Sequence, residues 1–209
     1  MVTAASHWLF RSTPSYLWTD ALAELSRGDL VPPNHHAPFG TALDTTLGRW
    51  LYTLIRVLRP ETVIETGVAH GSSSWLILNA MQKNNRGTLH SIDLPGRDAH
   101  RGYNVPASET GAVVPKMLRG RWDLVIGDSA DELPRLLAEV ASVDVFFHDS
   151  DHSYQAMRNE FDVVIPRLGA GAALVADDIQ KNTAFAEACR MHRLRSYVFR
   201  KGGTATPDG

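Results

Sequence analysis

The sequence predicts an α/β fold in which a mainly parallel sheet is covered by helices on both faces. From about residue 61 onward, short β-branched runs alternate with amphipathic segments of helical length, a pattern typical of parallel strands connected through helices. The first of these runs leads directly into a glycine-containing turn and then into a helix start. At 209 residues, the chain is long enough to bury one substantial core within one domain.

The first 40 residues are predicted to be an extension of helix and loop that precedes the main domain at residues 41–209. A helix is expected over about 14–27, and a loop over 31–40, where prolines and a glycine interrupt regular structure. The main domain begins with a helix over about 41–58, because its apolar residues recur at steps of three and four. This stripe comprises Leu43, Leu47, Trp50, Leu51, Leu54, Ile55 and Leu58.

Strands and helices then alternate along the rest of the chain. The predicted strands cover residues 62–66, 88–94, 123–126, 143–147, 172–175 and 196–199. The predicted helices cover residues 72–81, 134–140, 157–168 and 183–192. Pro134 is expected in the first turn of its helix, Gly169 after the end of the next, and Asn182 as the cap of the last. The C-terminal end looks short for a hairpin that would complete the sheet.

Composition and charge exclude several classes of protein. Lys plus Arg number 21 and Asp plus Glu 23, for a net charge of −2, which gives no reason to expect nucleic acid or an anionic membrane as partner. Cys189 is the single cysteine, so an intramolecular disulfide is impossible; a buried helical position and a reducing compartment are expected. Without a membrane-length apolar run or a signal-peptide pattern, a cytoplasmic location is predicted.

The turn after the first β-branched run is the strongest single pattern. Gly67 permits a tight turn and close approach of a ligand, and Gly71 permits close packing of the helix against strand or ligand. The N–H groups and hydroxyls of Ser72 and Ser73 suit a carboxylate or phosphate. The three-glycine dinucleotide fingerprint is absent, and Glu65 would repel a pyrophosphate but attract an ammonium group. A glycine turn without a ligand stays open as the alternative.

Acidic residues also end the next two predicted strands. Asp93 lies 22 residues past Gly71, near the offset at which an acid accepts ribose hydroxyls in doubly wound sheets. Asp128 and Ser129 end the third strand, at the same edge, and could meet an adenine ring or its amino group.

A cluster of aspartates is expected where the fourth and fifth strands end. If these strands are neighbours, Asp149, Asp177 and Asp178 share one pocket, and a divalent cation relieves their mutual repulsion. Oxygen ligands favour Mg²⁺, or else Mn²⁺ or Ca²⁺, over Zn²⁺. Helix capping is the competing explanation, and Asp151 or Ser153 could serve the helix from about residue 154.

Two residues of the same segment are candidates for a general base. His152 has the side chain that is neutral near pH 7, and a nearby cation would favour that neutral form. Asp151 is the competing candidate.

The runs VIETGVAHGSSS, LHSIDLP, VIGDS, FFHDSDHSY and LVADDI resemble, in order and spacing, the class I S-adenosylmethionine-dependent methyltransferases, over roughly residues 41–180. The nearest branch is the metal-dependent small-molecule group with catechol, caffeoyl-coenzyme A and macrolide or aminocoumarin sugar O-methyltransferases. The resemblance implies a Rossmann-like fold and a donor site. The implied roles are methionine binding by Glu65, Gly67 and Ser73, ribose binding by Asp93, adenine contact by Asp128 and Ser129, and metal ligation by Asp149, Asp177 and Asp178.

The resemblance also implies a reaction in which a metal-bound acceptor hydroxyl loses its proton to His152 or Asp151 and attacks the sulfonium methyl. S-adenosylhomocysteine is then the product, a small sugar, phenol or natural-product hydroxyl the acceptor, and small-molecule biosynthesis the setting. A homodimer is compatible with the sequence. The basic segment 95–121 is either a lid for anionic acceptors or a solvated loop. A metal-dependent hydrolase or hydroxylase, and a degenerate donor-binding module, stay open as alternatives.

Overall fold

A computed structural model describes residues 2–4, 15–26, 45–96 and 105–198. Its strands are β1 (Val2–Ala4), β2 (Thr62–Thr66), β3 (Thr88–Asp93), β4 (Trp122–Ile126), β5 (Val143–His148), β6 (Leu168–Ala176) and β7 (Tyr197–Val198). Its α-helices are α1 (Ser15–Ser26), α2 (Thr45–Leu58), α3 (Ser72–Asn84), α4 (Ser129–Glu139), α5 (Tyr154–Val164) and α6 (Ala184–Met191).

The described strands form one seven-stranded sheet in the order β4-β3-β2-β5-β6-β1-β7. Strands β2 to β6 are parallel to one another, which confirms the predicted Rossmann-like doubly wound architecture. Strand β5 lies beside β6, with His148 opposite Ala176, as the aspartate-cluster argument requires. The order of strands reverses between β2 and β5, and ligands of open α/β sheets bind at such a reversal.

The last part of the sheet is built from both ends of the chain. Strand β1 runs antiparallel to β6 on one side and to β7 on the other. A strand at Val2–Ala4 was not predicted, because three residues are too few to show the alternation that marks a strand. It lies between β6 and β7 in the sheet.

Alternating strand residues supply two cores, one on each face of the sheet. Val63 packs with residues of α2 and α3, including Leu51 and Leu78. Ile64, its neighbour in β2, packs with residues of α4, α5 and α6, among them Phe161. This period of two is what strands between two helical layers require. In α2, the predicted stripe is buried at Leu47, Leu51, Leu54 and Ile55; Leu43 lies outside the described residues.

Three predicted boundaries are wrong: the start of α4, the end of α5 and the start of β6. Helix α4 begins at Ser129, five residues before Pro134, because Asp128 caps it by accepting a hydrogen bond from the Ala130 N–H. Helix α5 ends at Val164 and passes through a 3₁₀ turn that contains Pro166, which has no N–H to continue an α-helix. Gly169 therefore lies in β6 rather than closing a helix.

Three further expectations concern Cys189, membrane-spanning helices and the loop at residues 31–40. Cys189 is buried in α6 as predicted, and burial raises the pKa of its thiol to about 11. None of the described helices is long and apolar enough to cross a membrane. The predicted loop at residues 31–40 lies outside the described residues.

Candidate active site

The predicted site residues gather at the carboxyl edge of the parallel strands, around the reversal between β2 and β5. Gly67 follows β2 with a φ of +85°. A Cβ built at Gly67 would collide with the Asp149 carbonyl and lie 2.7 Å from the Ser150 N atom. Gly67 is therefore required by the neighbouring loop after β5 as well as by its own turn.

Asp93, at the end of β3, fastens the glycine turn. Its Oδ1 accepts hydrogen bonds from the backbone N–H of Val68 (2.8 Å) and Ala69 (3.3 Å). Among the described residues, its Oδ2 accepts a long hydrogen bond from Thr110 Oγ1, at 3.3 Å. Asp93 thus uses one oxygen to shape the turn, while the other lies at the edge where a ribose is predicted.

Glu65 is buried below the glycine turn and does not lie on the side where a ligand is predicted. Its side chain is fully buried and accepts hydrogen bonds from the hydroxyls of Ser73, Ser74 and Ser91. Burial raises the pKa of Glu65, and the three hydroxyl donors only partly offset that effect. Ser73 therefore faces the interior, whereas Ser72 at the first position of α3 is half-buried.

Asp128 and Ser129 both have structural contacts. Asp128 caps α4 through the Ala130 N–H, at 3.0 Å. Ser129 donates from Oγ to Glu160 Oε1 at 2.6 Å. Both residues are half-buried at the ends of β4 and α4, next to the position predicted for adenine.

Two apolar residues at this edge were not predicted as part of the site. Leu94 follows β3 and is 39% exposed, and Ile126 ends the neighbouring β4 and is 48% exposed. They flank Asp93 and Asp128 in sequence and offer apolar surface to a flat ring. The available signal was an apolar residue within two positions of each predicted polar contact.

Glu160 was not predicted either, and it lies buried among hydrogen-bond donors that support the site. Its carboxylate accepts from Thr66 Oγ1 (2.6 Å), Ser129 Oγ (2.6 Å), Ser150 Oγ (2.7 Å) and His148 Nδ1 (2.7 Å). Burial alone would raise the pKa of Glu160, but the charge of His148 and these hydrogen bonds lower it overall. Glu160 therefore ties together the segments that follow β2, β4 and β5.

The predicted metal ligands Asp177 and Asp178 have different contacts. The Asp177 N–H donates to the His148 carbonyl, which places Asp177 beside the end of β5. Asp178 Oδ2 lies 2.7 Å from Lys181 Nζ. Burial raises the pKa of Asp178, but hydrogen bonds from Lys181 and Gln180 outweigh it and hold the pKa well below its ordinary range.

Across residues 2–4, 15–26, 45–96 and 105–198, no three histidine, cysteine or acidic side chains converge in a way that could hold a metal ion. One feature does suit a cation: Asp177 Oδ1 is buried with no hydrogen-bond partner among the described residues. A second oxygen of the predicted ligand set, Asp149 Oδ1, is also buried and lies 3.5 Å from His152 Nε2. Asp178, by contrast, is engaged by Lys181. The three-aspartate metal site therefore stays a prediction.

The two candidate bases differ in their surroundings. His152 is 8% exposed, its Nε2 lies 3.5 Å from Asp149 Oδ1, and its ring meets that of His148 edge-on at 5.3 Å. Asp151 is exposed and accepts hydrogen bonds from the N–H and hydroxyl of Ser153. Ser153 in turn caps α5, as the capping explanation predicted. Of the two, His152 faces the interior of the site.

The segment from 105 to 121 packs on the glycine turn. A Cβ built at Gly71 would lie 2.8 Å from the Gly111 Cα, so Gly71 is needed for this contact rather than for packing on a strand. Arg119 donates to the carbonyls of Gly111 and Val114, and Arg121 to that of Gly87. These two arginines hold the backbone, while Arg97 and Arg101 lie outside the described residues.

Comparison with known proteins identifies the family. The methyltransferase domain family matches residues 64–179, from β2 to the turn after β6. The chain belongs to this family. An uncharacterized protein of Acanthamoeba polyphaga mimivirus is 27% identical over 120 residues, which cover 57% of this chain and 52% of that protein. The chain thus spans about half the length of that relative.

Solved structures of methyltransferases have the same fold. The O-methyltransferase of Bacillus cereus, solved with S-adenosylhomocysteine, has a TM-score of 0.53 at 16% identity, covering 85% of this chain and 77% of its own. The O-methyltransferase TomG of Streptomyces achromogenes, from tomaymycin synthesis and solved with S-adenosylmethionine, has a TM-score of 0.54 at 19% identity, covering 85% and 76%.

Proposed function

We propose that this chain transfers a methyl group from S-adenosylmethionine to a hydroxyl oxygen of a small molecule and releases S-adenosylhomocysteine. The observation that carries the proposal is the family match over residues 64–179, which spans the glycine turn, Asp93, Asp128 and the segment that contains His152. The B. cereus and S. achromogenes proteins, both O-methyltransferases, support oxygen as the acceptor atom.

The donor would lie across the ends of β2, β3 and β4. Its carboxylate meets the first N–H groups of α3 near Ser72, where a helix start favours negative charge. The ribose hydroxyls donate to Asp93 Oδ2, which Thr110 engages only at 3.3 Å. The adenine ring packs on Leu94 and Ile126, both of which expose apolar surface at this edge. Glu65 does not contact the donor in this arrangement; it supports α3 from below.

The acceptor would enter beside the loop after β5. His152 takes the hydroxyl proton on a ring nitrogen as the acceptor oxygen bonds to the methyl carbon, and the C–S bond breaks to leave the neutral thioether. Asp149, 3.5 Å from His152 Nε2, stabilises the imidazolium that forms. Alignment in a water-poor pocket supplies most of the acceleration for such a displacement. No step in this sequence depends on a metal ion.

Calorimetry with S-adenosylmethionine, with and without a chelator, tests the donor site. We expect binding of one donor per chain, and weaker binding by Asp93→Ala. A screen of phenols and sugars for uptake of labelled methyl then tests the transfer. Absence of donor binding under both conditions would falsify the proposal.

The same assay decides the metal prediction separately. The metal prediction would be confirmed if turnover is lost on chelation and restored by Mg²⁺, and if Asp177→Ala shows no turnover. Full turnover after chelation would show the metal prediction to be wrong and would leave the methyl-transfer proposal standing. Turnover of substrate without S-adenosylmethionine would favour the hydrolase alternative.

A further inference from the structure

The side chain of Asn182 joins two parts of the site that are distant in sequence. Its Nδ2 donates to the backbone carbonyl of His152 at 2.9 Å. Its Oδ1 accepts from the N–H of Ala184 at 2.9 Å, which caps the start of α6. One half-buried amide therefore connects the segment after β6 to the segment after β5.

The connection matters because the backbone of His152 lies outside regular structure. Strand β5 ends at His148 and α5 begins at Tyr154, so His152 lies in the loop between them. Its ring has a 3.5 Å approach to Asp149 and an edge contact with His148. The hydrogen bond from Asn182 restrains the backbone that carries this ring.

We propose that Asn182 is a positioning residue that holds His152 in the orientation needed to accept the acceptor's proton. This inference rests on the proposed function, in which His152 is the base. The capping half of Asn182 is a stability role, whereas the Nδ2 half acts on His152 and also donates to Met157 Sδ of α5 at 3.4 Å. The two halves of one amide can therefore be separated by substitution.

Asn182→Ser separates them. A serine hydroxyl keeps the capping acceptor for the Ala184 N–H but is too short to reach the His152 carbonyl. The probe is S-adenosylmethionine alone, and the first readout is the histidine ring signals in ¹⁵N NMR spectra of the donor-saturated protein. We expect one sharp His152 signal in the parent and a broadened or split signal in Asn182→Ser, with unchanged melting temperature and donor affinity.

Turnover with the phenol or sugar found in the screen gives the second readout. We expect kcat to fall about tenfold or more in Asn182→Ser, because small misplacements of reacting groups cost up to about 100-fold, while KM changes little. Thr183→Ala is the matched control. It removes the surface hydrogen bond from Thr183 to Glu187 in α6 and should lower the melting temperature without changing the His152 signal or kcat.

The outcomes separate this inference from the proposed function. If His152→Gln abolishes turnover but Asn182→Ser matches the parent in NMR signal and kcat, the role of Asn182 is overturned and the base assignment stands. If His152→Gln retains full turnover, the base assignment itself is wrong. A loss in Asn182→Ser that Thr183→Ala reproduces would reduce Asn182 to a structural cap.

Discussion

Gly67 is restricted twice, by its backbone conformation and by its neighbour. Its φ of +85° is costly for any residue with a Cβ, and an added Cβ would collide with the Asp149 carbonyl. Gly67→Ala should therefore lower the free energy of unfolding by about 2 kcal/mol or more and weaken S-adenosylmethionine binding. Denaturant unfolding and calorimetry measure the two effects.

Gly120→Ala is the matched control for this prediction. A Cβ at Gly120 meets nothing within 4 Å, so stability and donor affinity should stay near those of the parent. Equal behaviour of the two variants would show that the contact between Gly67 and Asp149 does not constrain the site.

The role of a single residue could be predicted where the backbone or a ligand requires one residue type. It could not be predicted where it depends on the direction in which the side chain points. The glycine turn and Asp93 follow from spacing. The inward direction of Glu65 could have been read from period two, because Glu65 shares a strand face with the buried Val63. Glu160 left a comparable signal, since it lies three residues after Met157 and four before Val164 on the apolar stripe of α5. Partners so distant in sequence, such as Thr66, could not be inferred.

Helix α1 is attached to the rest of the fold through a buried ion pair. Arg56 of α2 binds both oxygens of Glu24 with distances of 2.7 and 2.9 Å, and Tyr52 donates to the same carboxylate. Removing Arg56 leaves the Glu24 carboxylate, whose side chain is 15% exposed, without its guanidinium partner. Arg56→Met should therefore cost about 3 kcal/mol of unfolding free energy, measured by denaturant titration.

An exposed pair on the same protein provides the comparison. Arg86 and Glu61 lie 2.8 Å apart with side chains about half exposed. Arg86→Met should cost less than about 1 kcal/mol, because solvent screens such pairs. Similar losses in Arg56→Met and Arg86→Met would mean that the α1 attachment is not energetically distinct.

Element type was easier to predict than element boundary. Apolar periodicity gave α2 and the central strands within a few residues. Pro134 suits a first-turn position and so predicts a start of α4 that is too late, whereas the Asp128 cap and the acidic Asp131 and Glu132 mark the true first turn. Gly169 has the residue type of a helix stop and so predicts a start of β6 that is too late.

The sheet as a whole depends on a strand from the start of the chain. Thr3 of β1 has a neighbouring strand on both sides, since it lies opposite Val175 of β6 and Tyr197 of β7. Thr3→Pro removes an N–H from this ladder and should lower the free energy of unfolding by about 2 kcal/mol. Thr3→Val keeps the N–H and a β-branched side chain, and should unfold as the parent does. An unaffected proline variant would mean that β1 contributes little to the sheet.

Topology explains what the sequence could and could not reveal at this scale. The parallel part of the sheet follows from alternation and from the preference for short right-handed connections. The placement of β1 between β6 and β7 rests on pairings across more than 170 residues, for which a single sequence carries no local signal.

The close approach of Gly67 to Asp149 has a kinetic consequence. Gly67 of the glycine turn contacts the Asp149 carbonyl in the loop that carries His152, with no room for even a methyl group. A shift of either segment should therefore move the other. A donor seated on the turn therefore also arrests the loop against which the acceptor must fit. Substrate addition should then be ordered, with S-adenosylmethionine first, and S-adenosylhomocysteine should inhibit competitively against the donor and noncompetitively against the acceptor.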